Sequence, residues 1–219
     1  MMNKVIVFGC GQLAEVADFY LSCDSDCIIE AFVVDKEYKN ADEFCGKPLL
    51  AFDTLRAKFS PSEYKLFMPI GFKKMNSIRQ NKYFEAKAFG YQFYTYISSE
   101  AICYASDVGE NTFVLENNVI QPFVRIGNNC ILWSGNHVGH HSVIADHCFI
   151  SSHVVISGSA SIGRNSFLGV NSTIADNVMI GNRSLIGAGA VVTSDTEVGS
   201  VYSACKSIRH KFKSDKLRF

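Results

Sequence analysis

The chain's most constraining feature is an aliphatic residue at every sixth position from Ile102 to Val198. The series is Ile102, Val108, Val114, Ile120, Ile126, Leu132, Val138, Ile144, Ile150, Ile156, Ile162, Leu168, Ile174, Ile180, Ile186, Val192 and Val198. A period of six fits neither a 3.6-residue helix nor one half-buried strand. Because six is even, the same side of each strand can face inward throughout. The pattern predicts short strands joined by tight corners and coiled into a solenoid whose interior holds these side chains.

The corners are predicted from small and turn-forming residues between the aliphatic positions. The residue four places after each aliphatic one is usually small or short, as at Ser142, Cys148, Ala160 and Ser166. Pairs such as Gly-Asn and Asn-Asn recur between the strands and favour tight turns. An irregular sandwich is disfavoured because sandwiches do not hold one period over so long a segment.

Residues 1–98 show a different pattern, in which short apolar strands alternate with helical segments. Strands are expected at 4–8, 28–34, 65–71 and 91–97, and helices at 15–21 and 77–90. This alternation predicts a small parallel sheet with helices outside it, a Rossmann-like α/β domain. Gly9 and Gly11 follow the first strand, where glycines let backbone N–H groups approach a phosphate at a helix N-terminus. Asp35 ends the second strand, where it could accept hydrogen bonds from a ribose or a base.

Composition excludes several classes of protein. The chain has 21 basic and 21 acidic residues, which argues against nucleic acid as the main partner. We expect no membrane span, because no run of 18 apolar residues occurs. The eight cysteines are scattered and we interpret them as reduced thiols, which favours a cytoplasmic location.

The six-residue repeat resembles that of the hexapeptide-repeat acyltransferases. That resemblance implies a left-handed parallel β-helix with 18-residue coils. With the N-terminal domain, the chain is similar to sugar acyltransferases that N-acetylate nucleotide-linked amino sugars, a group related to the sialic acid O-acetyltransferases. We therefore divide the chain into a nucleotide-sugar-binding domain (1–98), an acyltransferase β-helix (99–200) and a basic tail (201–219). The resemblance further implies a homotrimer that uses acetyl-CoA and needs no metal.

The resemblance also assigns candidate binding residues. Substrate contacts are expected from Gly9, Gly11, Gln12, Asp35 and Gly71. Contacts to coenzyme A are expected from Phe149, Gly158, Val170 and Ala188, and Lys206 and Arg209 could meet its phosphates.

Five of the six histidines lie between residues 137 and 153. The hexad pattern places His140 and His141 at a corner, and it predicts that His147 and His153 are exposed at later corners. Gly158 lies one coil above His140, so we expect open space and a free N–H there, which could donate to an oxyanion.

The resemblance makes His140 the catalytic base, with His141 where relatives carry an acidic partner. An imidazole suits a base because its pKa near 6.5 leaves it largely neutral at cytosolic pH. Asp146 or Glu116 could supply the missing carboxylate.

Three alternatives remain open. The same base could activate a hydroxyl, which would make the protein a sugar O-acetyltransferase. Clustered histidines also occur in zinc-dependent carbonic anhydrase relatives that share the β-helix. A non-catalytic scaffold would require an inert His140.

Overall fold

The computed structural model describes residues 2–207, 209 and 211. The N-terminal part contains β1 (Asn3–Phe8), α1 (Gln12–Cys23), β2 (Cys27–Val34), β3 (Glu43–Phe44), β4 (Lys47–Ala51), α2 (Leu55–Lys58), β5 (Tyr64–Phe67) and α3 (Ser77–Ala88). Its sheet has the order β3-β4-β2-β1-β5, and all pairs are parallel except the β3–β4 hairpin. The predicted Rossmann-like domain is confirmed, and β3 and β4 are additions to it.

The rest of the chain is a parallel β-helix with three faces. The first face contains β7 (Ile102–Cys103), β10 (Val119–Ile120), β13 (His137–Val138), β16 (Val155–Ile156), β19 (Thr173–Ile174) and β22 (Val191–Val192). The second contains β8 (Asp107–Val108), β11 (Arg125–Ile126), β14 (Val143–Ile144), β17 (Ser161–Ile162) and β20 (Met179–Ile180). The third contains β6 (Tyr96–Ile97), β9 (Phe113–Val114), β12 (Ile131–Leu132), β15 (Phe149–Ile150), β18 (Phe167–Leu168), β21 (Leu185–Ile186) and β23 (Val201–Tyr202). The predicted left-handed β-helix is confirmed.

The aliphatic series forms the interior of this coil. Every member from Val114 to Val192 is buried, together with the small residues at the corners. Such burial stabilises the coil by roughly 1.5–3 kcal/mol for each large side chain, before entropy is counted. The two ends differ from the prediction, since Ile102 is 52% exposed and Val198 is 70% exposed.

A change of register explains both ends. Interior coils pair residues 18 apart, but Cys103 pairs with Ile120, so the corner after β7 has one residue fewer and Cys103 takes the inward position. At the other end Leu185 pairs with Val201, which shortens the last coil by two residues. Val201 and Tyr202, predicted to lie in the tail, therefore belong to the third face.

The corners repeat one backbone conformation. At every sixth residue from 111 to 189, φ lies between 53° and 77°, in the left-handed region. The residues there are Asn111, Asn117, Phe123, Asn129, Gly135, His141, His147, His153, Ser159, Asn165, Asn171, Asn177, Arg183 and Gly189. Asparagine and glycine tolerate this conformation best, which explains their predominance.

The two parts of the chain pack closely together. The strand predicted at 91–97 does not join the N-terminal sheet: it touches β5 at one bridge, Leu66 to Phe93, and then β6 pairs with β9. Phe113, Ile131 and Phe149 point outward from the third face and are buried against the N-terminal domain. Most of the third face is therefore covered by the chain's own N-terminal domain.

The strand predicted at 65–71 ends at Phe67, so Gly71 lies in the following loop. The helices predicted at 15–21 and 77–90 are present as α1 and α3. Within the described residues, no helix has the length and apolar character needed to cross a membrane.

Candidate active site

A backbone-to-side-chain ladder runs along the corners of the coil. At the third position of several hexads, a side-chain oxygen accepts a hydrogen bond from the N–H of the residue 18 places earlier. Examples are Asn128 with the Glu110 N–H (2.9 Å), Asp146 with the Asn128 N–H (2.9 Å) and Asn182 with the Arg164 N–H (2.9 Å). A polar side chain at this position is therefore normally engaged in holding two coils together.

His140 occupies this third position but is released from the ladder. The residue 18 places earlier is Pro122, which has no N–H to donate. The residue 18 places later is Gly158, which has no side chain, and the His140 N–H instead donates to Oε1 of Gln121 at 2.8 Å. The His140 carbonyl accepts from the Ser159 N–H at 2.8 Å. The backbone of His140 is thus fixed on both sides while its imidazole is left for another role.

The His140 imidazole meets that of the next residue. Nδ1 of His140 lies 3.1 Å from Nδ1 of His141, and the rings are nearly perpendicular with centroids 5.2 Å apart. Both side chains are exposed, and among the described residues His141 is the one hydrogen-bond partner of the His140 side chain. The second nitrogen, Nε2 of His140, is therefore open to a ligand.

The expected open space and free N–H at Gly158 are both wrong. A Cβ placed on Gly158 would lie 2.8 Å from Cε1 of His140, so the imidazole itself occupies the room that the glycine leaves. The Gly158 N–H donates to Oδ1 of Asp176 at 3.0 Å. Gly158 lets the His140 ring lie against the coil, and its N–H is not a free oxyanion donor.

Neither expected carboxylate reaches His140. His140 lies at the corner between the first and second faces, which we call the histidine corner. Asp146 lies between the second and third faces, where it accepts from Asn128 and is 3.7 Å from Arg164. Glu116 lies between the third and first faces and accepts from the hydroxyls of Tyr20 (2.5 Å) and Ser134 (2.7 Å).

The histidines further along the chain differ in exposure. His153 is exposed, as predicted, but His147 is 3% exposed, contrary to the prediction. The cause is α3, which covers that corner: the His147 ring lies 5.6 Å from Tyr83 and 5.4 Å from Phe84. Its Nδ1 is 2.8 Å from Nδ2 of Asn129. Burial lowers the pKa of His147 to about 4, because nearby Asp146 only partly offsets burial, Arg79 and Arg164.

The four residues expected to bind coenzyme A are dispersed. Phe149 is 5% exposed and stacks on Phe167 with centroids 5.6 Å apart, beneath the N-terminal domain. The structure therefore does not bring its side chain to the histidine corner. Val170 and Ala188 are both exposed, at the corner between the third and first faces. Of the four, Gly158 alone lies beside His140 in the single chain.

The loop between β1 and α1 contains three of the residues that were predicted to contact substrate. Gly9 has φ of 131°, and a Cβ there would lie 3.2 Å from Cβ of Ala14, so the turn requires glycine. Gly11 is the residue before α1 and Gln12 is its first residue, and both are exposed. Gly71 lies after the neighbouring strand β5. These residues lie at the carboxyl ends of parallel strands, the usual ligand edge of such a sheet.

Asp35 lies at the same edge but is already paired. It forms an ion pair with Lys82 of α3, which also contacts Glu85. Burial lowers the pKa of Lys82, but the hydrogen bonds that its ammonium donates to the two carboxylates, together with their charge, outweigh burial and raise the pKa overall. A cleft of about 360 Å³ adjoins this pair and is lined by Asp35, Lys36, Phe52, Asp53, Arg56, Glu85 and Phe89.

Four residues of the site and its surroundings were not predicted from the sequence: Arg79, Lys82, Pro122 and Phe123. Pro122 could have been identified from the sequence, because it places a residue without an N–H at the third position of a hexad. Arg79 and Lys82 lie on a helix whose docking partner the sequence does not reveal. Lys206 and Arg209 are exposed, whereas 208, 210 and 212–219 of the predicted tail lie outside the described residues.

A metal site has no support in the described part of the chain. No group of three histidine, cysteine, aspartate or glutamate side chains there could hold a metal ion. The eight cysteines all lie within it and are free thiols.

Part of the coil matches a known family model. The family model described as bacterial transferase hexapeptide (six repeats) matches residues 106–140, 124–158 and 159–194. The predicted repeat is thereby confirmed for this part of the chain. No curated protein matches the chain.

Solved structures share the fold over nearly the whole chain. The acetyltransferase domain of PglB from Neisseria gonorrhoeae FA1090 is 23% identical, with a TM-score of 0.80 over 91% of this chain and 95% of that one. A variant of perosamine N-acetyltransferase from Caulobacter crescentus, in complex with CoA and GDP-perosamine, is 24% identical, with a TM-score of 0.80 over 92% and 93%. WeeI from Acinetobacter baumannii AYE is 18% identical, with a TM-score of 0.69 over 90% and 94%. The N-terminal α/β domain and the β-helix therefore form a combination already known in acetyltransferases.

Proposed function

We propose that this protein is an acyl-CoA-dependent N-acyltransferase that acetylates the amine of a nucleotide-linked amino sugar, with His140 as general base. The observation that carries the proposal is the release of the His140 side chain from the corner ladder, while both its N–H and its carbonyl remain hydrogen-bonded. Similarity to a perosamine N-acetyltransferase and to the PglB acetyltransferase domain supports the reaction class.

The chemistry requires one proton to move. The sugar amine attacks the thioester carbonyl of acetyl-CoA, and Nε2 of His140 takes a proton from the attacking nitrogen. The C–S bond then breaks, an amide forms, and the thiolate receives the proton. General-base catalysis of this kind typically contributes 10²–10⁴-fold to the rate.

The partner of the base is a neutral imidazole. His141 takes the place where a carboxylate would raise basicity, and Asp146 and Glu116 lie at other corners. His141 orients His140 through the 3.1 Å contact between the Nδ1 atoms. We therefore assign His141 an orienting role and not a charge-stabilising one.

The nucleotide part of the substrate is assigned to the N-terminal loop. The turn before α1 is formed by Gly9, Gly11 and Gln12, and it is flanked by Asp35 and Gly71. When substrate binds, Lys82 would leave Asp35 and contact the substrate. The same assignment divides the chain at residue 98 into a nucleotide-binding part and an acyl-transfer part. A cytoplasmic location fits this function, because acetyl-CoA is available there.

A homotrimer would complete the site. The N-terminal domain covers most of the third face, whereas the histidine corner is the vertex opposite that face. One chain therefore does not bring its nucleotide loop to its own His140, and a neighbouring chain would have to. Val170 and Ala188, which are exposed, are assigned to coenzyme A only within that assembly, whereas the Phe149 side chain stays enclosed by the chain's own N-terminal domain.

The acceptor is tested with wild-type protein, acetyl-CoA and a panel of UDP-, GDP- and dTDP-linked amino sugars, followed by mass spectrometry. A mass gain of one acetyl group on an amino sugar is expected. Acetylation that disappears in mild alkali would mean an ester and would favour the O-acetyltransferase alternative. No transfer to any member of the panel would contradict the proposal.

The metal alternative is tested on the same preparation. Protein dialysed against a chelator should retain full transfer activity. Activity that is lost on chelation and restored by zinc would favour a zinc enzyme.

A further inference from the structure

Phe123 is an unexpected residue at the histidine corner. It occupies the left-handed corner position with φ of 66°, where the other corners carry asparagine, histidine, glycine, serine or arginine. Bulky aromatic residues are genuine outliers in this region of backbone space. Phe123 is also 62% exposed, so burial in the core does not account for it either. Neither backbone preference nor burial explains why a phenylalanine occupies this corner, so its presence requires another explanation.

The contacts of Phe123 lead directly to the proposed base. Its ring packs on the His141 imidazole, with centroids 4.7 Å apart and planes 36° from parallel. His141 in turn meets His140 through the Nδ1 atoms. Both histidines are exposed, and His141 has no buried surroundings to hold its ring. Phe123 supplies the packing surface that the solvent-exposed corner lacks.

The direction of the histidine hydrogen bond matters for catalysis. Two neutral imidazoles that meet through Nδ1 share one proton, so one nitrogen donates and the other accepts. His140 can accept a proton at Nε2 only if its own Nδ1 carries the hydrogen and His141 accepts it. A His141 ring that is held with Nδ1 towards His140 and carries its own hydrogen on Nε2 therefore favours the tautomer of His140 in which Nε2 is basic.

We propose that Phe123 is a positioning residue: its ring holds the His141 imidazole so that Nδ1 of His141 accepts from Nδ1 of His140, which keeps Nε2 of His140 available as the base. This inference rests on the proposed function, since it assumes that His140 is the base. It gives a physical reason for an aromatic residue at a backbone position that favours asparagine.

The test uses Phe123→Asn, which places at this corner the residue most common at the others. Relief of the left-handed backbone should raise the melting temperature by about 2–4 °C. Loss of the ring should lower kcat by about 10-fold, a fraction of the full general-base contribution, with little change in KM. A protein that is more stable and less active would separate positioning from a structural role.

Two further variants provide the controls. Arg183→Asn makes the same change at another left-handed corner, where φ is 59°, and it should raise stability without changing kcat. Phe123→Tyr keeps the aromatic ring and should retain wild-type kcat.

A substrate-free measurement completes the test. Two-bond ¹⁵N–¹H NMR correlations should show His140 as the Nδ1–H tautomer in wild type, and a mixture of tautomers in Phe123→Asn.

Unchanged kcat and unchanged tautomers in Phe123→Asn would overturn the inference. A lowered melting temperature of Phe123→Asn would also overturn it, and so would an inactive Phe123→Tyr. If wild-type protein transfers no acyl group, the proposed function fails, and the tautomer result still decides whether Phe123 positions His141.

Discussion

At the scale of single residues, the same corner position carries two histidines with opposite properties. His141 and His147 both have left-handed backbones, six residues apart. His141 faces solvent and touches His140, whereas His147 is enclosed by α3 and has its pKa lowered to about 4. What covers a corner therefore decides whether its histidine can take part in chemistry.

The buried His147 predicts a pH-dependent stability. Its pKa is near 6.5 in the unfolded chain and about 4 in the folded one, so the unfolded chain binds more protons between these values. Its contribution is complete above about pH 6.5 and is lost as the pH falls towards 4, by up to about 3 kcal/mol. Urea unfolding of wild type between pH 7 and 4 should show this loss.

The matched variant for that experiment is His147→Asn, which suits the left-handed backbone and can still accept from Asn129. Its unfolding free energy should fall less steeply over the same pH range. Identical slopes for the two proteins would contradict the assignment to His147.

At the scale of secondary-structure elements, a buried arginine is one of several side chains that join α3 to the coil. Arg79 is fully buried and its guanidinium donates to the carbonyls of Asn129 (3.1 Å), His147 (3.0 Å) and Cys148 (2.9 Å). It also donates to the Ile70 carbonyl at 2.9 Å, in the loop that contains Gly71. Burial lowers its pKa to about 10, so it remains charged at neutral pH. The arginine connects the loop of the proposed substrate site to the coil.

Removing this side chain should destabilise the whole protein. Arg79→Met leaves several buried carbonyls without donors, and we expect it to lower the unfolding free energy by about 3 kcal/mol or more. Arg79→Lys should not restore stability, because a single ammonium cannot reproduce the planar set of donors. Lys87→Met, at an exposed ion pair on the same helix, should cost under about 1 kcal/mol and serves as control in urea unfolding. Equal losses in Arg79→Met and Lys87→Met would contradict this account.

The elements also show how far the sequence could predict the structure. The six-residue period fixed the coil because burial of each aliphatic residue is a local, repeated constraint, and the left-handed corners followed from the asparagines. The shortened corner before Val108 was hidden, since Ile102 and Cys103 are both acceptable inward residues. The burial of Phe149 and His147 was also hidden, because it depends on how the N-terminal domain docks.

The candidate site was likewise only partly predictable from the sequence. His140 could be predicted from its hexad position, but the contacts of Gln121 with His140 and of Phe123 with His141 could not, because they arise only when the coils stack. The engagement of the Gly158 N–H by Asp176 depends on contacts 18 residues apart.

At the scale of the whole molecule, the outer surface of the first face is largely apolar. Ile102, Val119, Val155 and Val191 lie on it and are 52%, 36%, 38% and 65% exposed, with His137 and Thr173 between them. Exposed aliphatic residues grouped on one face are typical of an interaction site. This grouping is consistent with the proposed trimer, in which a second chain completes the site at the histidine corner.

The trimer predicts a specific mass and a specific way to disrupt it. Light scattering after size exclusion should give about three times the 24.2 kDa of the chain. Val155→Glu places a charge in the apolar surface and should yield monomers without acyl transfer. Arg125→Glu, on the second face, is the control and should remain trimeric. A monomeric wild type with full activity would contradict the shared site.

The central claim is that His140, freed from the corner ladder, acts as the base, and the most direct test is the rate of acetyl transfer in His140→Ala. With the best acceptor of the panel, followed by mass spectrometry, kcat should fall by about 10²–10⁴-fold while the assembly state and coenzyme A binding remain those of wild type. A His140→Ala protein that transfers the acetyl group at the wild-type rate would contradict the account.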